Sequence, residues 1–330
     1  MKSIYRAAFL CFLMEAAWFS LIAQSLPQDK FPEAPSPTIQ LNLPATNETC
    51  ASLQERSTQL IEQRSYSEAA DKLQRSLTVC SNHEQVLLEL AKAQMLSLQF
   101  DAALASLHQL LADDPANVQA FITQGQVFYF INKDSDAESS LMQAIHIVPR
   151  DAEPHYWLGR IYYSDSRLEE ATGQFQEALK LNPDAYKAYD GLALCYENKG
   201  DMRLTVQTYM NGIALVYKNH PHYDVIYADF AEFLLKYGDS QKAFSVAGEA
   251  ATRNPLEPRN FFLAGKAAEQ AGKYDVSIRW LTKAAELDPT YPDPHYLLAR
   301  IYRRTGDIKA SAEESTKFQA LLAKAPQVRR

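Results

Sequence analysis

The chain has 330 residues, a formal net charge of −7 at pH 7 and a pI near 5.6, a balance that argues against general affinity for nucleic acid, which needs a basic face. Only 11 glycines, against many Ala, Leu, Glu and Gln, argue for an all-α protein. No P-loop, dinucleotide-binding Gly-rich turn, Gly-x-Ser-x-Gly, His-Glu-x-x-His or Cys-x-x-Cys is present, so the sequence supports neither an enzyme nor a cofactor.

The first 25 residues carry Lys2 and Arg6, then run apolar from Ala7 to Ala23, and Ala23-Gln24-Ser25 offers a small-x-small cleavage site. This reads as a secretory signal peptide and predicts an exported protein, periplasmic or secreted. The alternative is a retained N-terminal anchor, and contact with a membrane is expected only through this leader; Glu15 interrupts the apolar run and weakens both readings. Cys11 follows Ala8-Phe9-Leu10 and lacks the small neighbour that a lipidation signal needs. Residues 26–48 form a linker rich in proline (Pro27, Pro32, Pro35, Pro37, Pro44) without helical period, and Asn47-Glu48-Thr49 is an N-glycosylation sequon.

A repeat then begins. Pro115, Pro149 and Pro183 are spaced by 34 residues, as are Pro221, Pro255 and Pro289. Units laid on this period start at Cys50, Glu84, Val118, Ala152, Tyr186, Asp224, Pro258 and Pro292, and end near 325 before a short basic tail, 326–330. The first unit has an apolar stripe of Leu53, Leu60, Tyr66, Ala69, Leu73 and Leu77. The unit from Ala152 is the clearest: Trp157, Leu158, Ile161 and Tyr162 share one helical face, Leu168, Ala171, Phe175, Ala178 and Leu179 another, and Ser164-Asp165-Ser166 breaks the period. The unit from Tyr186 gains four residues before Pro221, which reads as a longer connection, and the last unit carries Ser315 where a core residue is expected, as suits a terminal cap.

The columns carry physical meaning. The eighth place of the units holds Ser57, Ala91, Gly125, Gly159, Ala193, Ala231, Gly265 and Ala299, and the twentieth Ala69, Ala103, Ala137, Ala171, Thr205, Ala243, Ser277 and Ser311. All are small, as required where two antiparallel helices cross closely. Amphipathic helix pairs that cannot bury their stripes alone, at a fixed period, predict a stacked solenoid.

Leu158-Gly159, Tyr162, Ala171, Phe175, Ala178 and Pro183 match the L-G-x-x-Y, A-x-x-x-F-x-x-A and closing Pro of the tetratricopeptide repeat, which residues 50–325 resemble. The resemblance implies a right-handed α-solenoid of about eight helix-turn-helix repeats and a non-enzymatic scaffold that binds a protein or an extended peptide in its concave groove. It also implies that the second, fifth, ninth and twelfth places face that groove. The ninth place reads Thr58, Lys92, Gln126, Arg160, Leu194, Glu232, Lys266 and Arg300. Candidate partner-binding residues are therefore Gln126, Tyr129, Tyr156, Arg160 and Tyr163, with a second basic patch at Lys266, Arg300, Arg303 and Arg304. Arg160 is expected on a solvent-facing side, so that its removal changes stability by no more than about 0.5 kcal/mol. The same tyrosines could instead stack on a glycan or another small ligand. No metal site is expected: His220-Pro221-His222 lacks further ligands, and His155 and His295 occupy a core column. Cys50 opens one helix and Cys80 closes its antiparallel mate, so these two are expected to form a disulfide in an oxidising compartment, with Cys195 left as a thiol.

Overall fold

The computed structural model describes residues 49–324. The leader (1–25), the Pro-rich stretch up to residue 48 and the tail (326–330) lie outside the described residues. Sixteen helices and no strand occur among those described. In chain order they are α1 (Cys50–Glu62), α2 (Tyr66–Val79), α3 (His83–Leu96), α4 (Phe100–Asp113), α5 (Val118–Phe130), α6 (Asp134–Ile147), α7 (Ala152–Ser164) and α8 (Leu168–Leu181). There follow α9 (Tyr186–Asn198), α10 (Met202–Asn219), α11 (Val225–Lys236), α12 (Ser240–Arg253), α13 (Pro258–Gln270), α14 (Tyr274–Leu287), α15 (Pro292–Thr305) and α16 (Ile308–Lys324). None of them is long and apolar enough to cross a membrane.

The period is written in the backbone as well as in the sequence. Left-handed φ angles recur at Arg64, Leu98, Asn132, Ser166, Gly200, Gly238, Gly272 and Gly306, once in each turn between the two helices of a unit. The turn needs this conformation to bring the second helix back along the first, and Gly or Asn adopts it at least cost. Several of the helix starts carry a side-chain cap. Thr49 and Ser52 form a reciprocal capping box on α1, and Asn117 and Asp151 accept from backbone N–H groups of α5 and α7.

The chain forms two compact units, one running to Gly200 and one beginning at Asp201. In the first, successive helices from α1 to α9 pack in series, and the first helices α3, α5, α7 and α9 also touch across repeats. Small residues of one helix receive large ones of the next. A Cβ added to Gly125 would meet Leu141 at 2.7 Å, and one added to Gly159 would meet the ring of Phe175 at the same distance. Phe175 is buried between Gly159 on α7 and Gly191 on α9, in a core with Leu158, Ile161, Ala178 and Leu192. Full burial of such a side chain contributes about 1.5–3 kcal/mol.

In the second unit the same fit recurs at Gly265, which faces Leu281. The four extra residues do not form the longer connection expected from the sequence; they lengthen α10 to 18 residues. The end of α10 is held from α12. Arg253 is buried, pairs with Glu249 at 2.9 Å, and donates to the Val216 and His220 carbonyls at 3.4 and 3.1 Å. It thereby gives a second, charged donor to two carbonyls at the end of α10 that already accept from the His220 and Tyr223 N–H groups. Its guanidinium lies 4.4 Å from the centre of the Tyr227 ring. Buried Asn260 donates to Asp224 at 2.7 Å and to the Ala250 carbonyl at 3.2 Å, tying α13 to the start of α11. At the far end α16 buries only Ser311, and Ser315 bonds back to the Ser311 carbonyl on a helix whose other side faces solvent.

Candidate binding face

Neighbouring first helices bring together side chains about one repeat apart in sequence. Arg160 of α7 reaches back to α5, where Nη2 donates to the Tyr129 hydroxyl at 3.3 Å. Its guanidinium lies 4.9 Å from the centre of the Tyr129 ring and 4.8 Å from that of Trp157. The cation is thus held between two π faces, each contact contributing about 0.5–1 kcal/mol at a half-exposed site. Tyr156 completes the group, 5.4 Å from Trp157 in an edge-to-face arrangement. Burial pushes the Tyr156 phenol above its ordinary range; Arg160 opposes this, and the buried Asp190 of α9 adds to it. Tyr163 lies one turn further along α7, where its hydroxyl accepts from Asn198 Nδ2 at 2.9 Å.

The rings continue beyond the predicted cluster. Tyr129 and Phe130 both contact Trp157 edge-on, at 5.9 and 6.1 Å, and Phe130 stacks on Phe100 of α4 at 6.4 Å. Trp157, assigned from the sequence to a core stripe, is only partly buried, and Phe130 is 45% exposed. The signal available in the sequence was the run Phe128-Tyr129-Phe130: three successive aromatics span more of a helix than one buried face can cover. Gln126 behaves differently from its expected role. It is 9% exposed and donates to Glu153 at 3.2 Å, tying α5 to α7 instead of facing a groove. Nor is Arg160 simply solvent-facing, since both ring contacts and its hydrogen bond contribute to the fold.

In the second unit one member of the expected basic patch, Arg300, is neutralised. Arg300 donates to Glu269 through two nitrogens, one at 2.9 Å, and this carboxylate is itself little exposed. Arg304 lies 5.2 Å from the Tyr274 ring and Lys266 5.9 Å from that of Phe262, while Arg303 is exposed. Arg259, absent from the predicted set, pairs with Asp229 and Glu232, both at 2.6 Å. The two histidines of the core column differ. His155 is half-buried with Nδ1 2.7 Å from Gln174 Oε1, whereas His295 is buried against Glu314 at 2.6 Å.

The sulfurs of Cys50 and Cys80 are 2.09 Å apart and their Cα atoms 5.0 Å apart, so the bond joins the start of α1 to the end of α2. Cys195 is a buried thiol, and burial pushes its pKa up to about 11, far from a reactive thiolate.

Comparison with known proteins adds the following. A family model described as tetratricopeptide repeat matches residues 152–185, and another described as TPR repeat matches residues 265–306. The chain is 24% identical over 199 residues to anaphase-promoting complex subunit 3 of Schizosaccharomyces pombe, covering 60% of this chain and 29% of that protein. It is 23% identical over 212 residues to human DnaJ homolog subfamily C member 3, covering 61% and 42%. It thus spans less than half the length of either relative. Among solved structures it is similar to the APC/C hetero-tetramer Cut9–Hcn1, with a TM-score of 0.60 and 13% identity over 83% of this chain and 53% of that one. It is also similar to PilF of Pseudomonas aeruginosa, with a TM-score of 0.54 and 17% identity over 66% and 97%. At such identities the likeness is one of fold.

Proposed function

We propose that this chain, which belongs to the tetratricopeptide repeat family, is a non-enzymatic scaffold that binds an extended peptide or partner protein at Tyr129, Tyr156, Trp157 and Arg160. The observation that carries this reading is the half-exposed Arg160, held over two rings, its five N–H donors more than Tyr129 and Tyr156 take up. A guanidinium fixed in place forms charge-assisted bonds to a carboxylate or carbonyl with little further ordering, and Arg, Tyr and Trp dominate interface hot spots. The names of two relatives, a complex subunit and a hetero-tetramer, agree with a part in protein assembly.

The test is selection of extended 12-residue peptides from a random display library, run beside an oligosaccharide array, with wild type and Arg160→Ala. Selected peptides should bind wild type and lose about 2 kcal/mol, roughly 30-fold, with Arg160→Ala. That variant should also lose about 1–2 kcal/mol of stability, more than the sequence suggested, because two ring contacts vanish with the charge. Equal peptide affinity for both proteins would remove Arg160 from the site. Enrichment of oligosaccharide alone would favour the glycan reading, in which the rings act as a stacking platform.

We also propose that the protein works outside the cytoplasm. The leader pattern and the juxtaposed Cys50 and Cys80 support this, because such a bond persists in an oxidising compartment. Mass spectrometry of the native protein should find a mature N-terminus near Ser25 and no free thiol at either cysteine; an intact Met1 with two free thiols would overturn it.

A further inference from the structure

Resting on the groove reading above, we infer that the occupant is an extended, proline-containing acidic segment in the polyproline II conformation. Three features of the first unit support this. First, Phe100, Phe130 and Trp157 stand in series at 6.4 and 6.1 Å, each spacing close to the rise of two polyproline II residues at about 3.1 Å per residue, so an extended chain laid along them meets one ring after another. Phe130 packs edge-to-face on Trp157 at an interplanar angle of 73° and stacks on Phe100 at 23°, so the three rings form a continuous apolar shelf. Prolines three residues apart would seat on such a surface, ring against ring, in the way aromatic-lined grooves take Pro-rich segments.

Second, the surface extends through a residue held at a cost. Leu98, two positions before Phe100, has φ 63° and is 74% exposed. The equivalent turn position elsewhere holds Arg, Asn, Ser or Gly. A large apolar side chain in the left-handed region, turned to solvent, is unfavourable on both counts, and Leu96 beside it is 44% exposed. Together they lengthen the apolar edge at which the ring row begins.

Third, the polar groups suit this ligand better than a helix. A polyproline II chain makes no internal hydrogen bonds, so its carbonyls need donors, whereas a docked helix satisfies its own. The Tyr129 hydroxyl accepts from Arg160 and keeps its own proton to give, and Arg160 keeps further N–H donors in its fork. The positive charge of Arg160 selects a carboxylate near the prolines over a basic residue.

The experiment uses the full chain and four labelled synthetic 15-residue peptides, read by fluorescence anisotropy: proline-rich with two Glu, the same with Glu→Lys, the same with every Pro→Ser, and an amphipathic helix former of equal charge. The first should bind, with the second and third at least tenfold weaker. Phe130→Ala and Arg160→Ala should each weaken the first at least tenfold, while Tyr237→Ala, an exposed ring of the second unit, should leave it unchanged. Circular dichroism checks that each variant is folded. If the serine or helical peptide binds as tightly as the first, this inference falls and the groove reading stands. If Phe130→Ala binds the first peptide like wild type, the ring row is not the site; if none of the four binds while library peptides do, the proline class is wrong. Failure of both the four and the library removes the groove reading as well.

Discussion

Phe175 sits in a vice, which makes Gly159→Ala a strong test of how the repeats are held together. A Cβ at residue 159 would lie 2.7 Å from two ring carbons and 3.0 Å from a third, whereas carbon atoms pack at about 3.5–4.0 Å. The ring would have to retreat by roughly 1 Å, and retreat is blocked because Gly191 presses on it from the other side. Overpacking costs about 1–3 kcal/mol, and with the ring blocked on both sides this site belongs at the upper end, about 2–3 kcal/mol. Ala also gains about 1 kcal/mol of helix propensity over Gly, which opposes the loss. The expected net effect is a destabilisation of about 1–2 kcal/mol, or a fall of some 2–8 °C in melting temperature for a unit of this size. Gly173→Ala is the internal control: it lies in the interior of α8, exposed, and an added Cβ meets nothing within 4 Å. It should show the propensity gain alone, about 0.5–1 kcal/mol of added stability. Urea and thermal denaturation followed by circular dichroism distinguish the two. If Gly159→Ala proves as stable as wild type, or both variants shift alike, the tight fit around Phe175 is not what fixes α7, α8 and α9.

Arg253→Met should cost about 3–5 kcal/mol in urea denaturation, since it leaves the nearly buried Glu249 without its partner and removes the charged donor shared by the Val216 and His220 carbonyls. Adding Glu249→Leu should recover part of the loss, and a single-variant cost below 1 kcal/mol would show that Arg253 does not hold the end of α10. Burial would raise the Glu314 carboxyl, but hydrogen bonds from Lys317 and His295 outweigh it and hold the group below its usual value of 4.5. Its stabilisation is therefore present above pH 4.5 and lost as pH falls through the lower, folded value, and Glu314→Gln should flatten the acid limb of the melting-temperature profile; an unchanged limb would assign acid sensitivity to other groups. Leu98→Gly relieves a left-handed leucine and should add about 1 kcal/mol of stability; a loss would mean that the exposed side chain packs against the fold in solution. Cys50→Ser with Cys80→Ser should destabilise the first repeat by about 3–4 kcal/mol, for a bond closing a separation of 30 residues, and unchanged resistance to proteolysis there would refute it.

The sequence by itself determined the helices and their pairing. Small residues at the eighth and twentieth places, set against Leu141, Phe175 and Leu281, leave two antiparallel helices one way to close, and a 34-residue period repeats that solution along the chain. These are contacts within a repeat or between direct neighbours, so their spacing is visible in a linear pattern. The proximity of Cys50 and Cys80 was legible for the same reason. What only the tertiary structure decided is set between repeats, where separations of 27 to 37 residues and the choice of rotamer matter. Gln126 turned inward to Glu153, Arg300 met Glu269, Arg253 reached the end of a helix 33 residues upstream, and Arg160 reached back to Tyr129. Periodicity says which face of a helix a residue occupies; it does not say whether a neighbouring carboxylate or ring reaches it first. That competition fixes which charges on this surface remain available to a partner, and it is settled only when the side chains of adjacent repeats are packed together.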